Sequence, residues 1–251
     1  LHAAGCPVPR FIDDRDGRWL QDVRGKKACL IEFLPGISVS EPTPTQAAAV
    51  GKALAKMHMA VVNFGELKPN PLGQSSWKAL FDQCDQTAAN ALQAGFAGEI
   101  ARECDWLSEN WPPNLPQCAV HTDLFPDNVL IRGDQVGGLI DFYFACTDFR
   151  AYDLAVTHAA WSFTADGQNY LADIGRALLD GYCEVVQLTG DEKQAFPALA
   201  RGASLRFLLT RLYDWINTPA DAMVTRKDPL AFYHRLKFYS NANSSALFGS
   251  A

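Results

Sequence analysis

Three side chains, those of Asp123, Asn128 and Asp141, have the types and the spacing that phosphoryl transfer requires. Asn128 follows Asp123 by five positions within the run HTDLFPDN at residues 121–128, and Asp141 lies thirteen residues further along. Phosphoryl transfer needs a carboxylate that accepts the proton of the attacking hydroxyl, and oxygen ligands that hold Mg²⁺ against the phosphates. We therefore predict that Asp123 is the catalytic base and that Asn128 and Asp141 are catalytic residues that bind the metal.

The segment that joins Asn128 to Asp141 has the pattern of a β-hairpin. Apolar residues at 129–131 and 138–140 flank a polar Arg-Gly-Asp turn, as is typical of two short antiparallel strands. A hairpin of this length returns Asp141 to the side of Asn128. Turn formation alone would explain the residue types, but not their joint spacing. We expect His121 to support this loop by hydrogen bonding.

Residues 120–161 resemble the catalytic and metal-binding loops of the aminoglycoside phosphotransferase and choline kinase superfamily, which shares its core with protein kinases. Phe125 stands where protein kinases carry a loop lysine, and Tyr143 stands where they carry a glycine after Asp-Phe. Both departures point to a small-molecule kinase. Three further segments resemble bacterial homoserine kinases of the kinase-like type, and the similarity runs through essentially the whole chain; these segments are residues 140–145, 205–215 and 228–230.

The resemblance implies an α+β, protein-kinase-like two-lobe fold with a truncated N-terminal β-lobe and a mainly helical C-terminal lobe. It divides the chain into a remnant of the nucleotide-binding lobe with the hinge, residues 1–36, and a catalytic and substrate-binding lobe, residues 37–251. It also places Glu32 and Leu34 where backbone groups meet the adenine of ATP; a plain strand-to-loop exit is the alternative. No G-x-G-x-x-G sequence and no candidate for the phosphate-binding lysine occur. We therefore expect an N-terminally truncated family member.

The implied activity is transfer of a phosphoryl group from ATP, with Mg²⁺, to the hydroxyl of L-homoserine, a step of threonine synthesis. Two alternatives stay open: a kinase for another small molecule, such as an aminoglycoside or choline, and a catalytically incomplete fragment. Homoserine carries a carboxylate, for which an arginine is a suitable partner. A choline site would instead require an aromatic cage, and an aminoglycoside site would require an acidic surface.

The candidates for substrate binding are Arg206, Arg211 and Tyr143. The two arginines lie five positions apart on a predicted helix, which places them on different sides, so we expect one of them to face the site. Alternatively, each arginine pairs with a neighbouring acid such as Asp214 and only holds the helix in place. Tyr143 either lines the pocket or packs as an ordinary aromatic residue. By resemblance, Asp153 braces the catalytic loop.

The second lobe has a mainly helical pattern. Thr43 and Gln46 form a predicted capping box, and apolar residues then recur at helical spacing as far as residue 61. His58 lies beside this apolar face and is expected to be a core histidine. Further helices are predicted at residues 76–94, 97–110, 153–163, 169–187, 197–215 and 229–240.

The first lobe has a strand pattern. Residues 11–12 and 19–20 are predicted to pair, and residues 28–33 to form a buried strand. Lys26 and Lys27 are assigned to the turn before that strand. Truncation of the lobe would expose apolar surface there and favour association.

Composition narrows the classes of partner. The 251 residues are 48% apolar and carry a net charge of -6 without a large Lys/Arg cluster, which argues against a nucleic-acid partner. Seven cysteines without C-x-x-C spacing favour buried reduced thiols and a cytoplasmic location over disulfides or zinc. No apolar stretch approaches the length of a membrane span, and no signal pattern opens the chain, so we expect no membrane partner. The patterns do not predict an oligomeric state.

Overall fold

The computed structural model describes residues 1–219, 222–223 and 225–249. Its first 40 residues contain two short strand pairs, and helices dominate the remainder. The strands are β1 Phe11–Ile12, β2 Gln21–Val23, β3 Lys26–Ala28, β4 Leu30–Ile31, β5 Gln117–Val120, β6 Val129–Arg132, β7 Gln135–Leu139 and β8 Cys146–Phe149. The helices are α1 Pro44–Ala60, α2 Gln74–Asp82, α3 Gln86–Leu92, α4 Phe96–Asn110, α5 Arg150–Trp161, α6 Ala172–Cys183, α7 Gly190–Asn217, α8 Leu230–Asn241 and α9 Ser244–Phe248.

The N-terminal strands pair differently from the prediction. β1 lies antiparallel to β4, with Phe11 opposite Ile31, so the predicted pairing of residues 11–12 with 19–20 is wrong. Arg24 and Gly25 both have positive φ, as a tight hairpin turn requires, and this turn closes β2 onto β3. Residues 21–28 use their backbone hydrogen-bonding groups within that hairpin. β1 therefore pairs with β4, the strand that follows the hairpin.

The predicted buried strand at residues 28–33 is shorter and more exposed than expected. Ala28 ends β3, where it pairs with Gln21, and β4 consists of Leu30 and Ile31 alone. The side chains of Leu30 and Phe33 are 65% and 95% exposed. Within the described residues, β4 pairs with β1 alone, so no second strand shields it. The lysines at positions 26 and 27 lie on β3 and not in a turn.

The first helix begins where the capping pattern predicts and crosses α6 closely. The Thr43 hydroxyl accepts from the backbone of Gln46, and the Gln46 side chain accepts from the backbone of Thr43, at 3.2 and 3.1 Å. A Cβ on Gly51 would lie 2.1 Å from the Leu178 carbonyl oxygen of α6. Glycine therefore permits the close contact that joins these two helices.

The helix predicted at residues 76–94 is two helices. α2 ends at Asp82, and α3 begins at Gln86. The carboxylate of Asp85 accepts from the backbone N–H groups of Thr87 and Ala88 at 2.8 and 3.2 Å. An aspartate in this position competes with the helical hydrogen bonds and starts a new helix.

The helix predicted at residues 197–215 begins earlier and spans Gly190–Asn217. Thr189 and Glu192 form its capping box, and Pro197 lies inside the helix. The Glu192 carboxylate is buried and also accepts two hydrogen bonds from Arg150, at 2.7 and 2.8 Å. This ion pair fixes the first turn of α7 to the start of α5.

The other predicted helices are present with ends shifted by a few residues, as α4, α5, α6 and α8. One apolar core connects them with α1 and α7, and its largest fully buried side chains include Trp77, Trp161 and Tyr152. Among the described residues, no helix combines the length and the apolar character needed to cross a bilayer.

Candidate active site

The β6–β7 hairpin brings the predicted metal ligands to the same end of the molecule. Val129 lies opposite Leu139 in the antiparallel register, and the turn passes through Gly133, which has a φ of 61°. The backbone N–H of Ile140 donates to the carbonyl of Asn128 at 3.1 Å. Asp141 therefore follows the returning strand beside Asn128, as the hairpin pattern predicts.

Asn128 is bonded to the predicted base. Its side-chain N–H₂ donates to the backbone carbonyl of Asp123 at 2.7 Å and to the Asp123 carboxylate at 3.2 Å. Asn128 is buried, and this orientation leaves its amide oxygen available to a ligand. The catalytic loop thus holds the base and the amide in a fixed relation.

Asp153 braces the catalytic loop from the first turn of α5. Its buried carboxylate accepts from the backbone N–H groups of His121 and Thr122 at 2.8 and 2.7 Å, and from His58 at 2.9 Å. Burial acts to raise the pKa of this carboxyl group, but the hydrogen bonds from the His58 side chain and from the backbone of His121 hold the pKa below its ordinary value. The other ring nitrogen of His58 lies 2.8 Å from the Tyr182 hydroxyl, so His58 is a buried structural histidine.

The imidazole of His121 connects the catalytic loop to the metal-binding loop. Its Nε2 donates to the carbonyl of Ile140 at 3.0 Å, and its Nδ1 accepts from the backbone N–H of Asp123 at 3.2 Å. This pair of contacts defines one neutral tautomer. It also explains how this buried histidine supports the loop.

Asp123 lies in a partly buried environment. Burial is the main cause that raises the pKa of its carboxyl group, and the charges of Asp127 and Asp141 act in the same direction. The guanidinium of Arg206 opposes them and lowers the pKa. The acid is therefore a somewhat stronger base than an exposed aspartate.

Arg206 holds the backbone next to the predicted base. Its buried guanidinium donates to the carbonyl of Thr122, whose backbone has a φ of 60°, and it stacks against the ring of Phe207 at 4.3 Å. Its Nε has no hydrogen-bond partner among the described residues. These contacts favour positioning of the loop by Arg206.

A cavity of about 300 Å³, lined by both charged and aromatic side chains, opens beside Asp123. Both arginines line it, although we expected only one to do so. Positions five apart on a helix differ by about 140°, but the long side chains of Arg206 and Arg211 bridge that difference. Neither arginine is within ion-pair distance of Asp214 in the described structure. The cavity is lined by Leu72, Asp123, Phe125, Asp127, Phe144, Arg206, Phe207, Thr210, Arg211, Asp214 and Lys227.

The remaining predicted site residues lie elsewhere. Tyr143 is 79% exposed, packs edge-on against Phe144 and does not line the cavity. Glu32 pairs with Arg10 through its backbone N–H at 2.9 Å. The side chain of Leu34 lies against Gly138 of β7, where a Cβ would approach it to 2.7 Å. The predicted hinge therefore contacts the hairpin that carries the metal ligands, and its contact with adenine stays a prediction.

The donor set at the end of the hairpin fits Mg²⁺. The Asp141 carboxylate is exposed and has no hydrogen-bond or ion-pair partner among the described side chains. Together with the free amide oxygen of Asn128 it provides two oxygen ligands, and Mg²⁺ is typically held by one or two protein oxygens together with phosphates and water. Asp141 also has a φ of 62°, a conformation that aspartate tolerates better than most residues.

Lys227 and Thr210 also line the cavity, and sequence patterns did not point to them. Lys227 lies 3.8 Å from the carboxylate of Asp127, across a separation of 100 positions. No motif marks such a contact. One sequence signal was available for the cavity face of α7. Residues at spacings of three and four lie on one face of a helix, and this spacing relates Phe207, Thr210, Arg211 and Asp214.

The fold and the geometry of this site define a kinase-like phosphotransferase. Residues 1–187 match the phosphotransferase enzyme family. The structure aligns with the amicoumacin kinase hAmiN at a TM-score of 0.70 and 12% identity, over 97% of this chain and 75% of that one. It aligns with an aminoglycoside phosphotransferase from Alicyclobacillus acidocaldarius at a TM-score of 0.67 and 16% identity, over 98% and 78%. These likenesses confirm the predicted kinase-like fold with a mainly helical C-terminal lobe.

Sequence relatives narrow the class further. The chain is 46% identical to the homoserine kinase of Zymomonas mobilis over 247 residues, which are 98% of this chain and 77% of that protein. It is also 46% identical to the homoserine kinase of Rhizobium etli over 249 residues, 99% and 77% of the two chains. The chain belongs to the phosphotransferase enzyme family and, within it, to the homoserine kinases.

Proposed function

We propose that this chain transfers the γ-phosphoryl group of ATP to the hydroxyl of L-homoserine, giving O-phospho-L-homoserine and ADP. The observation that carries the proposal is that the Asp123 carboxylate and the Arg211 guanidinium line one cavity of about 300 Å³. A hydroxyl and a carboxylate on one small substrate match that pair of groups. The identity with homoserine kinases supports the same substrate.

Asp123 acts on the hydroxyl. Its carboxylate accepts a hydrogen bond from the hydroxyl, turns the oxygen toward the γ-phosphorus and takes the proton as the new O–P bond forms. The bond to the leaving oxygen breaks in line, and its electron pair remains on ADP. The hydrogen bonds from Asn128 to Asp123 keep the carboxylate in place during this transfer.

Asn128 and Asp141 would hold Mg²⁺, which when bound supplies positive charge that offsets the charge of the transferring and leaving groups. The proposal keeps Glu32 and Leu34 as backbone contacts of adenine. It also keeps residues 1–36 as the nucleotide-binding part with the hinge, and residues 37–251 as the catalytic and substrate-binding part. The packing of Leu34 on Gly138 supports this division, since it connects the hinge to the metal-binding hairpin.

Cellular context forms part of the proposal. All seven cysteines are free thiols, and five of them are buried. Burial raises the pKa of the Cys84 and Cys146 thiols to about 11, which keeps them protonated and unreactive. This pattern supports a cytoplasmic enzyme.

The experiment that tests the proposal is a phosphorylation assay with ATP and Mg²⁺ across L-homoserine, L-serine, choline, ethanolamine and kanamycin. The chain is compared with Asp123→Asn and with Asp134→Asn, a matched change in the hairpin turn. We expect turnover with homoserine in the chain and in the control, and its loss in Asp123→Asn. Preference for another acceptor, or equal turnover in Asp123→Asn, would overturn the proposal.

A further inference from the structure

Arg211 is a cation that lines the cavity and has no acidic partner among the described residues. Its guanidinium lies 4.5 Å over the ring of Phe232 and donates to the backbone carbonyl of Asp228 at 3.3 Å. Burial is the main cause that lowers the pKa of this group, while the charges of Asp228, Asp127 and Asp123 act to raise it. The described structure places no carboxylate within ion-pair distance of it.

Asp214 lies one turn further along the same face of α7. It lines the same cavity, its side chain is exposed, and its carboxylate has no ion-pair partner among the described residues. Residues three apart on a helix have their Cβ atoms about 5–6 Å apart. The Arg211 guanidinium instead contacts the ring of Phe232 and the carbonyl of Asp228, and it forms no ion pair with Asp214 in the described structure.

The other two cations of the cavity contact protein oxygens, and the unpaired Nε of Arg206 is buried. Arg206 donates to the carbonyl of Thr122, and Lys227 faces the carboxylate of Asp127 at 3.8 Å. The remaining acid that lines the cavity is Asp123, which the proposed reaction uses. Arg211 and Asp214 are thus the pair of opposite charges that is left for a ligand.

We propose that Arg211 and Asp214 form a zwitterion clamp, in which Arg211 binds the α-carboxylate of the acceptor and Asp214 binds its α-ammonium group. An α-amino acid carries both charges on one carbon atom, and a cation and an acid one helical turn apart match that arrangement. The clamp rests on the proposed function and makes α7 the element that selects an α-amino acid over a simple amino alcohol or a hydroxy acid.

The test measures binding, so that it does not depend on turnover. Ligand-observed NMR titrations of the 251-residue chain give the Kd of L-homoserine, of 3-aminopropan-1-ol, which lacks the carboxylate, and of 4-hydroxybutanoate, which lacks the ammonium group. The variants are Arg211→Gln and Asp214→Asn. The controls are Arg226→Gln, which removes an arginine that stacks on Trp215 outside the cavity, and Glu109→Gln, which removes an exposed acid in the last turn of α4. Thermal unfolding checks that each variant is folded.

We expect homoserine to bind the chain and both controls about tenfold or more tightly than either analogue, since each analogue lacks one charged hydrogen-bonding group. Arg211→Gln is expected to raise the Kd of homoserine about tenfold or more and to change the Kd of 3-aminopropan-1-ol by no more than about twofold. Asp214→Asn is expected to raise the Kd of homoserine and to change the Kd of 4-hydroxybutanoate by no more than about twofold.

Two results would overturn the clamp in distinguishable ways. If homoserine is phosphorylated by the chain but each variant binds all three compounds as the chain does, the clamp is wrong and the proposed function stands. If homoserine neither binds nor is phosphorylated, the clamp and the proposed function both fail.

Discussion

The side-chain amide of Asn128 donates to both the backbone carbonyl and the carboxylate of Asp123, at 2.7 and 3.2 Å. The predicted base and a predicted metal ligand are therefore one bonded unit, although five positions separate them. Because the amide nitrogen faces Asp123, the amide oxygen is the atom that remains for the metal. A single hydrogen-bonded loop thus sets the position of the base relative to the metal site.

Asp123→Asn tests the base. We expect the rate of phosphoryl transfer to fall about 10²- to 10⁴-fold, because a positioned general base contributes that much. Burial raises the pKa of Asp123 in the folded protein, so its ionised form at neutral pH opposes folding. We therefore expect the Asn variant to unfold at the same or a higher Tm. A fall in Tm would show that the lost activity reflects a damaged fold.

Asp141→Asn tests the metal site. Asparagine tolerates the positive φ of this position and retains one oxygen ligand but not the charge. We expect the Mg²⁺ concentration for half-maximal rate to rise about tenfold or more, with partial recovery at high Mg²⁺. Asp134→Asn, in the hairpin turn, is the matched control. An unchanged Mg²⁺ dependence would exclude Asp141 as a ligand.

Asp153→Asn tests the brace of the catalytic loop. One amide oxygen cannot replace a carboxylate that accepts from His58, His121 and Thr122, so we expect a loss of roughly 3 kcal/mol or more in the free energy of unfolding at about pH 7. Urea unfolding measures this loss. The control is Asp173→Asn, in the exposed first turn of α6, which is expected to change the free energy of unfolding little.

The difference in the free energy of unfolding between the chain and Asp153→Asn is expected to depend on pH. The pKa of Asp153 is lower in the folded state than its ordinary value of 3.8. Its ionised form therefore stabilises the fold above that value, and the stabilisation is lost as pH falls through the folded pKa. We expect the difference between the chain and Asp153→Asn to be full at about pH 5–7 and to shrink below about pH 3.8. A difference that grows on acidification would contradict this sign.

Arg206→Met separates positioning from substrate binding. The charge of Arg206 lowers the pKa of Asp123, so its removal is expected to shift the acid limb of the kcat–pH profile to higher pH. Loss of the bond to Thr122 is expected to lower kcat more than it raises the KM for homoserine, and Arg206→Lys is expected to restore part of the profile. A change confined to KM would instead make Arg206 a substrate contact.

Gly51→Ala tests the contact between α1 and α6. The added Cβ would lie 2.1 Å from the Leu178 carbonyl, and the helices must separate to admit it. We expect a loss of about 1–3 kcal/mol in the free energy of unfolding. Gly65→Ala meets no atom within 4 Å and is the control; equal effects of the two changes would contradict the close crossing.

Local signals predicted the parts of the molecule that local chemistry determines. The predicted capping box at Thr43 is present because a hydroxyl and an amide three residues later satisfy each other's backbone groups. The hairpin between Asn128 and Asp141 is present because its apolar runs and polar turn leave few alternatives.

Contacts between distant positions were not predictable from these patterns. Arg206 reaches the carbonyl of Thr122 across 84 positions, and Arg150 reaches Glu192 across 42. The pairing of β1 with β4 likewise depends on which strand is free after the neighbouring hairpin has closed. Asp85 divides the helix predicted at residues 76–94. Aspartate is a common helix-capping residue, but the apolar residues at helical spacing on both sides of it favoured one continuous helix.

The most direct test of the account is identification of the product by ³¹P NMR after incubation of the chain with ATP, Mg²⁺ and L-homoserine, in parallel with Asp123→Asn. The account predicts a phosphomonoester signal coupled to the side-chain CH₂ of homoserine, formed in step with ADP and absent from the variant. Formation of ADP without that signal, or the same signal at an equal rate in Asp123→Asn, would contradict it.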